Sequence, residues 1–520
     1  MLPKSKSYAD LKAGFSWDIP GRLNMAHQVC DLWAETAPSR TALIDVTGDE
    51  RRDVSYSELR TIADGLAHYL AERVQPGDRV GVLRSQSVWT AAAHIAIWKI
   101  GAISIPLFKL FAHDALQVRL GDAGARLVIC DAETVHQVEE LGYPTCVPED
   151  LQFSDQPFAT RDTSSEDPAV LIYTSGTTGS PKGALHAHRV LAGHLPGVEI
   201  SHNLLGQDAD VLWTPADWAW IGGLFDVLMP GLALGVPVVA SRSDKFSAEF
   251  CRQVVSRAAV LNVFFPPTAL RMLKADNVSI QGLRTIASGG EPLGPEMLEW
   301  GQNAFGLTIN EFYGQTECNM VASSASALFD PQLGCIGKPV PGHDIAVLDD
   351  LGNPTQIEGD IAVKKGSASM MLEYWNKPSE TAAKYKGPWM LTGDRGIWQG
   401  EYLRFIGRED DVITSAGYRI GPAEIEDCLL KHPSVATVGV VGKPDELRTE
   451  IVKAYVVLKP EVVGSDNLVR ELQNLAKSRV SKHSYPREIT FLKSLPMTVT
   501  GKIIRKDLKR RATAEKEPKS

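Results

Sequence analysis

Short apolar runs rich in β-branched residues alternate with longer helical segments along most of the chain. Such runs, bounded by turn residues, are typical of buried strands, whereas Trp89–Ile100 has the length and apolar content of a buried helix. The predicted strands are Arg79–Leu83, Leu127–Cys130, Val170–Tyr173, Asn262–Phe265 and Leu283–Ala287. Strands separated by helices predict parallel sheets covered on both faces, so the pattern indicates an α/β fold class.

The pattern changes near Gly407–Asp411, which we take as a domain boundary. The segments that follow are two predicted helices, Pro422–Leu430 and Asn467–Val480, and three predicted strands, Val435–Val441, Ile451–Leu458 and Ile489–Leu492. This compact mixture predicts a small α+β domain. We therefore expect a large N-terminal domain over residues 1–409 and a C-terminal domain over residues 410–520. The charged tail after Leu508 is expected to fray.

The most apolar stretch, Ile221–Ala240, is interrupted by glycines, prolines and Asp226. It falls short of the ~18 consecutive apolar residues of a membrane span, and it predicts a buried helix followed by a buried strand. The N-terminal segment also lacks the apolar core of a signal peptide, so we expect a cytoplasmic protein. An excess of 63 acidic over 54 basic residues weighs against a nucleic-acid partner. The seven cysteines contain no CxxC pair and suit a reducing compartment.

A loop of glycines, hydroxyl side chains and one lysine, TSGTTGSPKG at Thr174–Gly183, follows the predicted strand Val170–Tyr173. The glycines let the backbone approach a ligand, the hydroxyls donate hydrogen bonds, and Lys182 adds a positive charge, which together suit a chain of phosphates. By composition alone, an ordinary flexible turn remains an alternative. A P-loop NTPase is disfavoured, because Lys182 is followed by Gly183 and not by the Ser or Thr that holds magnesium.

This loop resembles the phosphate loop of the ANL superfamily, the adenylate-forming enzymes that include acyl-CoA synthetases, adenylation domains of nonribosomal peptide synthetases, and firefly luciferase. Further segments resemble that family's motifs in the family's order: Ser288–Pro292 (SGGEP), Tyr313–Glu317 (YGQTE), Thr392–Asp394 (TGD), Gly407–Asp411 (GREDD), Gly417–Ile420 (GYRI) and Pro496–Leu508 (PMTVTGKIIRKDL). The resemblance implies a large domain of layered α/β subdomains with mostly parallel sheets, and a small, mobile C-terminal domain.

The resemblance also implies an activity, that of an AMP-forming carboxylate–CoA ligase similar to acetyl- and medium-chain acyl-CoA synthetases. Such an enzyme joins a carboxylic acid to AMP with loss of pyrophosphate, and then transfers the acyl group to coenzyme A. Negative charge gathers at the α-phosphorus in the first transition state, so the site needs cations and hydrogen-bond donors. ATP, Mg²⁺ and coenzyme A are the implied cofactors.

The implied phosphate and metal ligands are Lys182 with Thr174, Ser175, Gly176, Thr177, Thr178 and Gly179, then Thr316 for the α-phosphate and Glu317 for Mg²⁺. The implied adenosine ligands are Gly290, Glu291 and Pro292 on one side of the base, the ring of Tyr313 on the other, and Asp394 for the ribose hydroxyls. Arg408 resembles a second ribose and phosphate contact, and Arg419 an arginine that meets the ATP phosphates.

Lys502 resembles the family lysine that bridges the carboxylate and the α-phosphate. Asp410 resembles the hinge about which the small domain rotates after adenylation, so that Lys502 leaves and another face meets coenzyme A. Gly417 lies on that face, where the absence of a side chain lets the pantetheine arm pass. The segment Pro496–Lys502 also resembles the site that protein acetyltransferases modify in related bacterial synthetases, which makes such an enzyme a predicted partner.

The acyl pocket is the least determined part of the resemblance. Gly314 takes the place of a tryptophan that caps the pocket of acetate-specific relatives, which implies an acid larger than acetate: short to medium, branched or a small ring. Trp220 resembles the aromatic beside the pocket, and Gly289 is assigned to the same wall. Since an apolar slot separates chain lengths by only ~1–3 kcal/mol per methylene, we expect a range of acids.

Three other functions remain open from the sequence. The chain resembles adenylation modules that load the phosphopantetheine thiol of a carrier protein, and addition of coenzyme A alone discriminates that case. A non-catalytic nucleotide-binding regulator is disfavoured by the intact set of Lys182, Glu317, Asp394, Arg408 and Lys502. A light-emitting oxidase belongs to the same superfamily, but no residue points to it.

Overall fold

A computed structural model describes residues 1–3, 5, 7–174, 181–243, 246–408, 411–415, 418–445, 448–480, 485–498 and 501–515. The α-helices of these segments are α1 Tyr8–Gly14, α2 Leu32–Thr36, α3 Tyr56–Ala71, α4 Val88–Lys99, α5 His113–Ala123, α6 Val135–Glu140, α7 Val190–Ser201, α8 Ile221–Gly223, α9 Met229–Leu234, α10 Ala248–Ala258, α11 Pro267–Ala275, α12 Pro295–Phe305, α13 Pro378–Ala383, α14 Pro422–Leu430, α15 Asp466–Arg479 and α16 Arg505–Ala514. Two π-helical turns, His27–Asp31 and Leu224–Leu228, precede α2 and α9.

The strands of the N-terminal region are β1 Thr41–Asp45, β2 Arg52–Ser55, β3 Arg79–Leu83, β4 Ile103–Pro106, β5 Leu127–Cys130, β6 Thr145–Cys146, β7 Pro168–Thr174, β8 Lys182–Ala187, β9 Leu212–Trp213, β10 Val238–Ala240, β11 Asn262–Phe264, β12 Thr285–Gly289, β13 Ile309–Gln315, β14 Asn319–Ser323, β15 Lys338–Pro339, β16 Ile345–Leu348, β17 Gly359–Lys364, β18 Glu373–Tyr374, β19 Tyr385–Lys386, β20 Trp389–Gln399 and β21 Tyr402–Arg408. Those after residue 410 are β22 Ile413–Ser415, β23 Tyr418–Ile420, β24 Val435–Asp445, β25 Thr449–Leu458 and β26 Glu488–Leu492.

Two mostly parallel sheets form the body of the molecule. The nine-stranded sheet has the order β15-β14-β13-β12-β11-β9-β10-β1-β2, and its strands from β13 to β1 run parallel. The seven-stranded sheet has the order β18-β8-β7-β4-β3-β5-β6, with β7 through β6 parallel. The largest apolar core joins both sheets, because it contains Val82 of β3, Val238 of β10, and the helices α4 and α7.

Two further sheets are smaller. β16, β17, β20, β19 and β21 form an antiparallel five-stranded sheet. The five strands after residue 410 form the other, in which β26 pairs in parallel with β25. Its core is separate from that of the main body and includes Ile425 of α14, Val440 of β24 and Leu472 of α15. No helix in the described part of the chain is long and apolar enough to cross a membrane.

The sequence predicted some of these elements, mainly the buried strands of the two large sheets and the helices and strands of the C-terminal region. β3 and β5 have the predicted bounds, and the segment from Ile221 to Ala240 is a buried helical stretch followed by β10. The strand predicted over Leu283–Ala287 begins two residues later, at Thr285, and the antiparallel sheet of β16, β17, β19, β20 and β21 was not predicted.

The expectation that the tail after Leu508 frays was wrong for its first part. Helix α16 continues to Ala514. Leu508 and Ala512, four residues apart on one helix face, are buried against Val441, Tyr455 and Leu495. The charged residues between them lie on the other faces, so the high charge of the tail concealed a narrow apolar stripe.

Helix α7 is buried along its whole length and packs closely against the segment before β18. A Cβ atom on Gly193 of α7 would lie 2.1 Å from the backbone nitrogen of Ser369. Gly121 of α5 is also helical, but a Cβ there would meet only the Tyr143 hydroxyl, at 3.9 Å. The two glycines therefore differ in packing and not in secondary structure.

We predict that Gly193→Ala destabilises the N-terminal region by about 1–3 kcal/mol, because the backbone that faces it cannot move cheaply. Gly121→Ala, the control, should be neutral or stabilising by up to about 1 kcal/mol, because alanine favours helix. Thermal or denaturant unfolding of purified variants measures both. Equal effects of the two substitutions would contradict the packing described for α7.

Candidate functional site

The ends of neighbouring strands bring two of the predicted motifs together. β12 ends at Gly289, which pairs with Phe312 of β13. The YGQTE segment begins at the next residue of β13, and the SGGEP loop leaves the end of β12. Since the carboxyl ends of parallel strands share one edge of a sheet, both motifs lie at that edge.

The phosphate loop connects β7 to β8 at the edge of the other large sheet. Residues Ser175–Gly179 of the predicted site lie outside the described residues. The two ends of the loop are described: Thr174 pairs with Lys182, and the Thr174 hydroxyl donates to the Lys182 carbonyl oxygen at 3.4 Å. The Lys182 ammonium lies 5.3 Å from the ring centroid of Tyr374. The lysine is therefore held above an aromatic ring at the mouth of the loop.

Tyr374 also contacts the predicted metal ligand. Its hydroxyl donates a hydrogen bond to Glu317 Oε1, and the backbone nitrogen of Met371 donates to the Glu317 carbonyl oxygen at 2.8 Å. Burial, followed by the Glu317 carboxylate, raises the pKa of Tyr374 far above its ordinary value, so the phenol keeps its proton. Tyr374 thus links Lys182 to Glu317. Sequence reasoning missed it, because it lies in a two-residue strand with no motif of its own.

Thr316 and Glu317 form the turn between β13 and β14. The turn is closed by the Cys318 nitrogen, which donates to the Gln315 carbonyl at 3.1 Å. Glu317 is only 8% exposed. A carboxylate this buried, with one oxygen hydrogen-bonded to a tyrosine, is expected to need a cation nearby.

The predicted ribose ligands form one connected group. The Tyr313 hydroxyl donates to Asp394 Oδ2 at 2.6 Å, and Arg408 Nε lies 3.6 Å from Asp394 Oδ1. Asp394 and Arg408 pair directly across β20 and β21. Burial raises the pKa of Asp394, while Arg408 and the hydrogen bond from Tyr313 oppose the rise.

Lys384 joins this group to the YGQTE segment. Its ammonium donates to Gln315 Oε1 at 3.0 Å and to the Leu391 carbonyl at 3.2 Å, directly before the TGD motif. Sequence reasoning missed this lysine as well, because a single lysine at a helix end carries no signal. It ties two motifs that are far apart in the chain.

The SGGEP loop bends sharply at Gly290, whose φ of +101° favours glycine. The next residue, Glu291, pairs with Arg271 at 2.9 Å. A Cβ on Gly290 would lie 3.3 Å from the ring of Trp220. Trp220 is the first of three aromatic rings in a row. The ring centroids of Trp220 and Phe264 are 5.6 Å apart, and those of Phe264 and Phe312 are 5.2 Å apart.

The C-terminal region meets the main body at this loop. The Lys502 ammonium lies 5.8 Å from the centroid of the Trp220 ring. A Cβ on Gly290 would lie 3.7 Å from Lys502 Cε, and one on Gly501 would lie 2.8 Å from Thr268. Burial lowers the pKa of Lys502, and so does Arg408, whereas Glu291 and Asp394 oppose the lowering. The lysine therefore lies among the side chains predicted to bind nucleotide.

Some predicted residues remain untested. Asp410 and Gly417 lie outside the described residues. Arg419 belongs to β23, opposite Thr414, but its side chain is not described. For these residues the sequence-based roles stay predictions.

Gly314 has a backbone reason to be glycine. A Cβ there would lie 1.8 Å from the carbonyl oxygen of Asn319, at a register shift between β13 and β14. A tryptophan at this position would require β14 to move. Gly289 is also tightly packed, since a Cβ would lie 2.3 Å from the Phe312 ring. The acyl-pocket role of both glycines stays a prediction, and Gly314→Trp is a poor test of it.

Two carboxyl groups with raised pKa values, those of Glu311 and Asp427, lie where the C-terminal region docks. The carboxylate of Asp427 on α14 lies over Gly294, where a Cβ would be 2.6 Å from Oδ1. Glu311 Oε1 accepts the backbone nitrogen of Leu293 at 3.0 Å. Burial raises the pKa of Glu311 to about 7, and that of Asp427 also to about 7. Around Asp427, Glu426 and Glu296 add to the rise, and Arg271 and Lys431 oppose it.

Comparison with protein families gives two matches. The model of the AMP-binding enzymes matches residues 30–375, and the model of the C-terminal domain of AMP-binding enzymes matches residues 424–502. The two matched segments contain Lys182, Glu317 and Lys502.

Individual proteins resemble the chain over nearly its whole length. The acetyl-coenzyme A synthetase of Bacillus subtilis (strain 168) is 32% identical, over 97% of this chain and 95% of the relative. The mitochondrial acyl-coenzyme A synthetase ACSM3 of Mus musculus is 31% identical, over 97% and 93%. The crystal structure of the anthranilate CoA ligase AuaEII in complex with anthranoyl-AMP is 26% identical, with a TM-score of 0.87 over 95% of this chain and 98% of that one.

The raised pKa of Asp427 predicts that docking of the C-terminal region weakens as pH rises from about 4 to about 7. The docked arrangement binds the proton of Asp427 more tightly than a free carboxyl of pKa 3.8 does, so docking is strongest at low pH and levels off above about 7. A pair of fluorophores, one on each region, measures docking against pH. Asp427→Asn should flatten the profile, and Glu461→Gln, an exposed control, should not. An unchanged pH profile of docking in Asp427→Asn would rule out Asp427 as the source of the pH dependence.

Proposed function

The chain belongs to the family of AMP-binding enzymes, and from that premise we propose how its residues divide the work of an acyl-CoA ligase and which acids it takes. It is an AMP-forming ligase that uses ATP and coenzyme A with a carboxylic acid. The observation that carries the residue roles is the convergence of Lys502 with the SGGEP loop, Trp220 and the Asp394 group.

The first step makes an acyl-adenylate. A carboxylate oxygen attacks the α-phosphorus of ATP, and the bond to pyrophosphate breaks, so that the products are acyl-AMP and pyrophosphate. Lys182 and the loop after Thr174 hold the β- and γ-phosphates, and Thr316 donates to the α-phosphate. Tyr313 and the SGGEP loop enclose adenine, and Asp394 accepts hydrogen bonds from the ribose, with Arg408 beside it.

The residues present fit Mg²⁺. Among the described side chains, no three His, Cys, Asp or Glu residues are grouped to hold a metal, and the carboxylate predicted for Mg²⁺ is that of Glu317. Magnesium is usually bound by one or two carboxylates with phosphate oxygens as further ligands. Glu317, oriented by Tyr374, is the carboxylate we assign to it. Mg²⁺ there would neutralise charge on the phosphates.

Lys502 is the residue we assign to the reacting centre of the first step. Its ammonium offsets charge on the carboxylate and the α-phosphate as they approach. Burial beside Trp220 strengthens this attraction, because little water remains to screen it. Burial lowers the pKa of Lys502, and the negative charge of bound phosphates would oppose that lowering and favour the ammonium form.

The second step transfers the acyl group to coenzyme A. The thiolate sulfur attacks the acyl carbon, and AMP leaves with the electron pair of the broken anhydride bond. We propose that the C-terminal region rotates about Asp410 between the steps, which removes Lys502 and brings Gly417 and its neighbours to the pantetheine channel. Arg419 contacts phosphate in the first arrangement only.

For the substrate, we propose a carboxylic acid larger than acetate, of short to medium length, branched or with a small ring. The aromatic row of Trp220, Phe264 and Phe312 beside Lys502 supports an acyl slot at this position. We also propose that acetylation of Lys502 silences the enzyme. Because Lys502 is only half-exposed and packs beside Trp220 in the docked arrangement, we propose that a protein acetyltransferase acts on the undocked one.

We predict that Lys502→Ala slows acyl-AMP formation about 100-fold or more and leaves thioester formation from supplied acyl-AMP almost unchanged. The first half-reaction is followed by pyrophosphate release and the second by appearance of acyl-CoA. Lys506→Ala, an exposed lysine four residues away, serves as the control and should preserve both. Equal losses of Lys502→Ala in the two half-reactions would refute the assigned role.

Supplying coenzyme A alone tests the ligase reaction itself. With ATP, Mg²⁺ and a panel of straight, branched and cyclic acids, we expect release of acyl-CoA without any carrier protein. Acetate should be among the poorer substrates. Adenylate formation with no thioester, in the presence of coenzyme A, would instead favour transfer to a carrier-protein thiol.

A further inference from the structure

Three polar side chains meet in the interior of the N-terminal region, and we call them the polar cluster: His194, Asp226 and Asn319. His194 Nδ1 lies 3.4 Å from Asp226 Oδ1, and the Asn319 side-chain amide is in hydrogen-bond contact with the same imidazole nitrogen. The side chains of His194 and Asp226 are 0% and 5% exposed, and Asn319 is buried too. The adenylation chemistry proposed above uses none of the three.

The cluster lies one helical turn beyond Trp220. A Cβ on Gly222 would lie 2.7 Å from the Trp220 ring, so this face of the helix that starts after Trp220 carries the indole. Asp226 follows Gly222 by four residues and therefore lies near the same face, roughly 6 Å further along the axis. Side chains on a helix lean toward its N-terminus, so we expect Asp226 to lean toward the end of the helix that carries the indole.

The other members hold the cluster beside the nucleotide site. Asn319 starts β14, and its carbonyl oxygen packs on Gly314, the residue after Tyr313. His194 lies on α7, where its Nδ1 is 2.9 Å from the Phe225 carbonyl oxygen. Asp226 itself lies in the π-helical turn Leu224–Leu228, and such turns are frequent at functional sites.

Two atoms of the cluster lack a hydrogen-bond partner. They are Asp226 Oδ1 and His194 Nε2, both fully buried. An unsatisfied buried polar group destabilises a fold, and more so when it is charged. A fold that needed only packing here would have apolar residues, so the cluster points to a ligand group that completes it.

From this placement we infer that the acid bears a hydroxyl group on the part of its tail remote from the carboxylate, and that Asp226, with His194 and Asn319, selects it. This inference rests on the proposed function, since it places the carboxylate at Lys502 and the tail along Trp220. A hydroxyl both donates and accepts, so it satisfies Asp226 whether that carboxyl is ionised or protonated. An ammonium satisfies only the ionised form.

Burial raises the pKa of Asp226, and His194 and Asn319 oppose the rise. An apolar tail would leave both buried atoms unsatisfied. A site built to bind a substrate hydroxyl rejects the analogue without it far more strongly than an apolar slot rejects a missing methylene.

The inference is tested with pairs of acids in which the two members differ only by the hydroxyl group. They are straight-chain acids of graded length with and without a terminal hydroxyl, and benzoate against para-hydroxybenzoate. We expect kcat/KM for CoA-dependent AMP release to favour the hydroxylated member of at least one pair by about tenfold or more. Equal or better turnover of the unsubstituted member in every pair would overturn the inference and leave the ligase function standing.

A binding measurement separates this result from a failure of the ligase function. Acyl-sulfamoyl adenosines, non-hydrolysable mimics of the adenylate, are titrated calorimetrically with the same pairs of acyl groups. Tighter binding of a hydroxylated mimic supports the inference even if no acid is turned over. Equal affinities in all pairs contradict it, and absence of turnover for all acids counts against the ligase function alone.

Variants test whether Asp226 causes the preference for the hydroxylated acid. Asp226→Asn keeps the size of the side chain and should reduce the preference of the best pair to near parity. Asp210→Asn is the matched control, because Asp210 is an equally buried aspartate that pairs with Arg284 at 2.7 Å away from Trp220. The control should keep the preference whatever its effect on stability. If Asp226→Asn does not fold, His194→Gln takes its place; an unchanged preference in a folded variant would refute the assignment.

Discussion

The contact of the half-buried Lys502 ammonium with Trp220 and the Gly290 bend is the interaction on which the rest of the arrangement depends. A lysine taken out of water needs anionic neighbours, and Glu291 and Asp394 supply part of that charge. Phosphate and carboxylate groups of the reactants would supply the remainder. Under the proposed mechanism, bound reactants would stabilise this ammonium and would thereby couple docking of the C-terminal region to binding of the reactants.

The main body supplies a fixed frame for this contact. Strands β12 and β13 end side by side, so the loop with Gly290 and the turn with Glu317 share one sheet edge. Tyr313 donates a hydrogen bond to Asp394, and Tyr374 donates one to Glu317, so the two phenols fix the positions of the acidic groups. Burial raises the pKa of both phenols, and they therefore stay protonated. Preorganised groups of this kind need little rearrangement as charge develops, which favours the transition state over the ground state.

Much of this could be predicted from local sequence, and the failures have physical causes. Buried parallel strands such as β3 and β5 are continuous apolar runs, and the motifs fall at strand ends, where a single sequence already reveals them. The sequence contains no sign of the roles of Tyr374, Lys384 and Asp226, because these roles come from contacts with residues far away in the chain. The sequence also could not show why residue 314 is glycine. The backbone of Asn319 lies so close that it requires glycine there, whatever the size of the acid.

The most direct test of the account is a crystal structure of the enzyme with a non-hydrolysable acyl-adenylate analogue. The account predicts that Lys502 Nζ lies within hydrogen-bond distance, about 2.7–3.2 Å, of the oxygens that join the acyl and phosphate-like groups. It further requires the C-terminal region to dock on the Gly290 bend in that complex. A bound analogue with another side chain at those oxygens, and Lys502 in solvent in every copy, would contradict it.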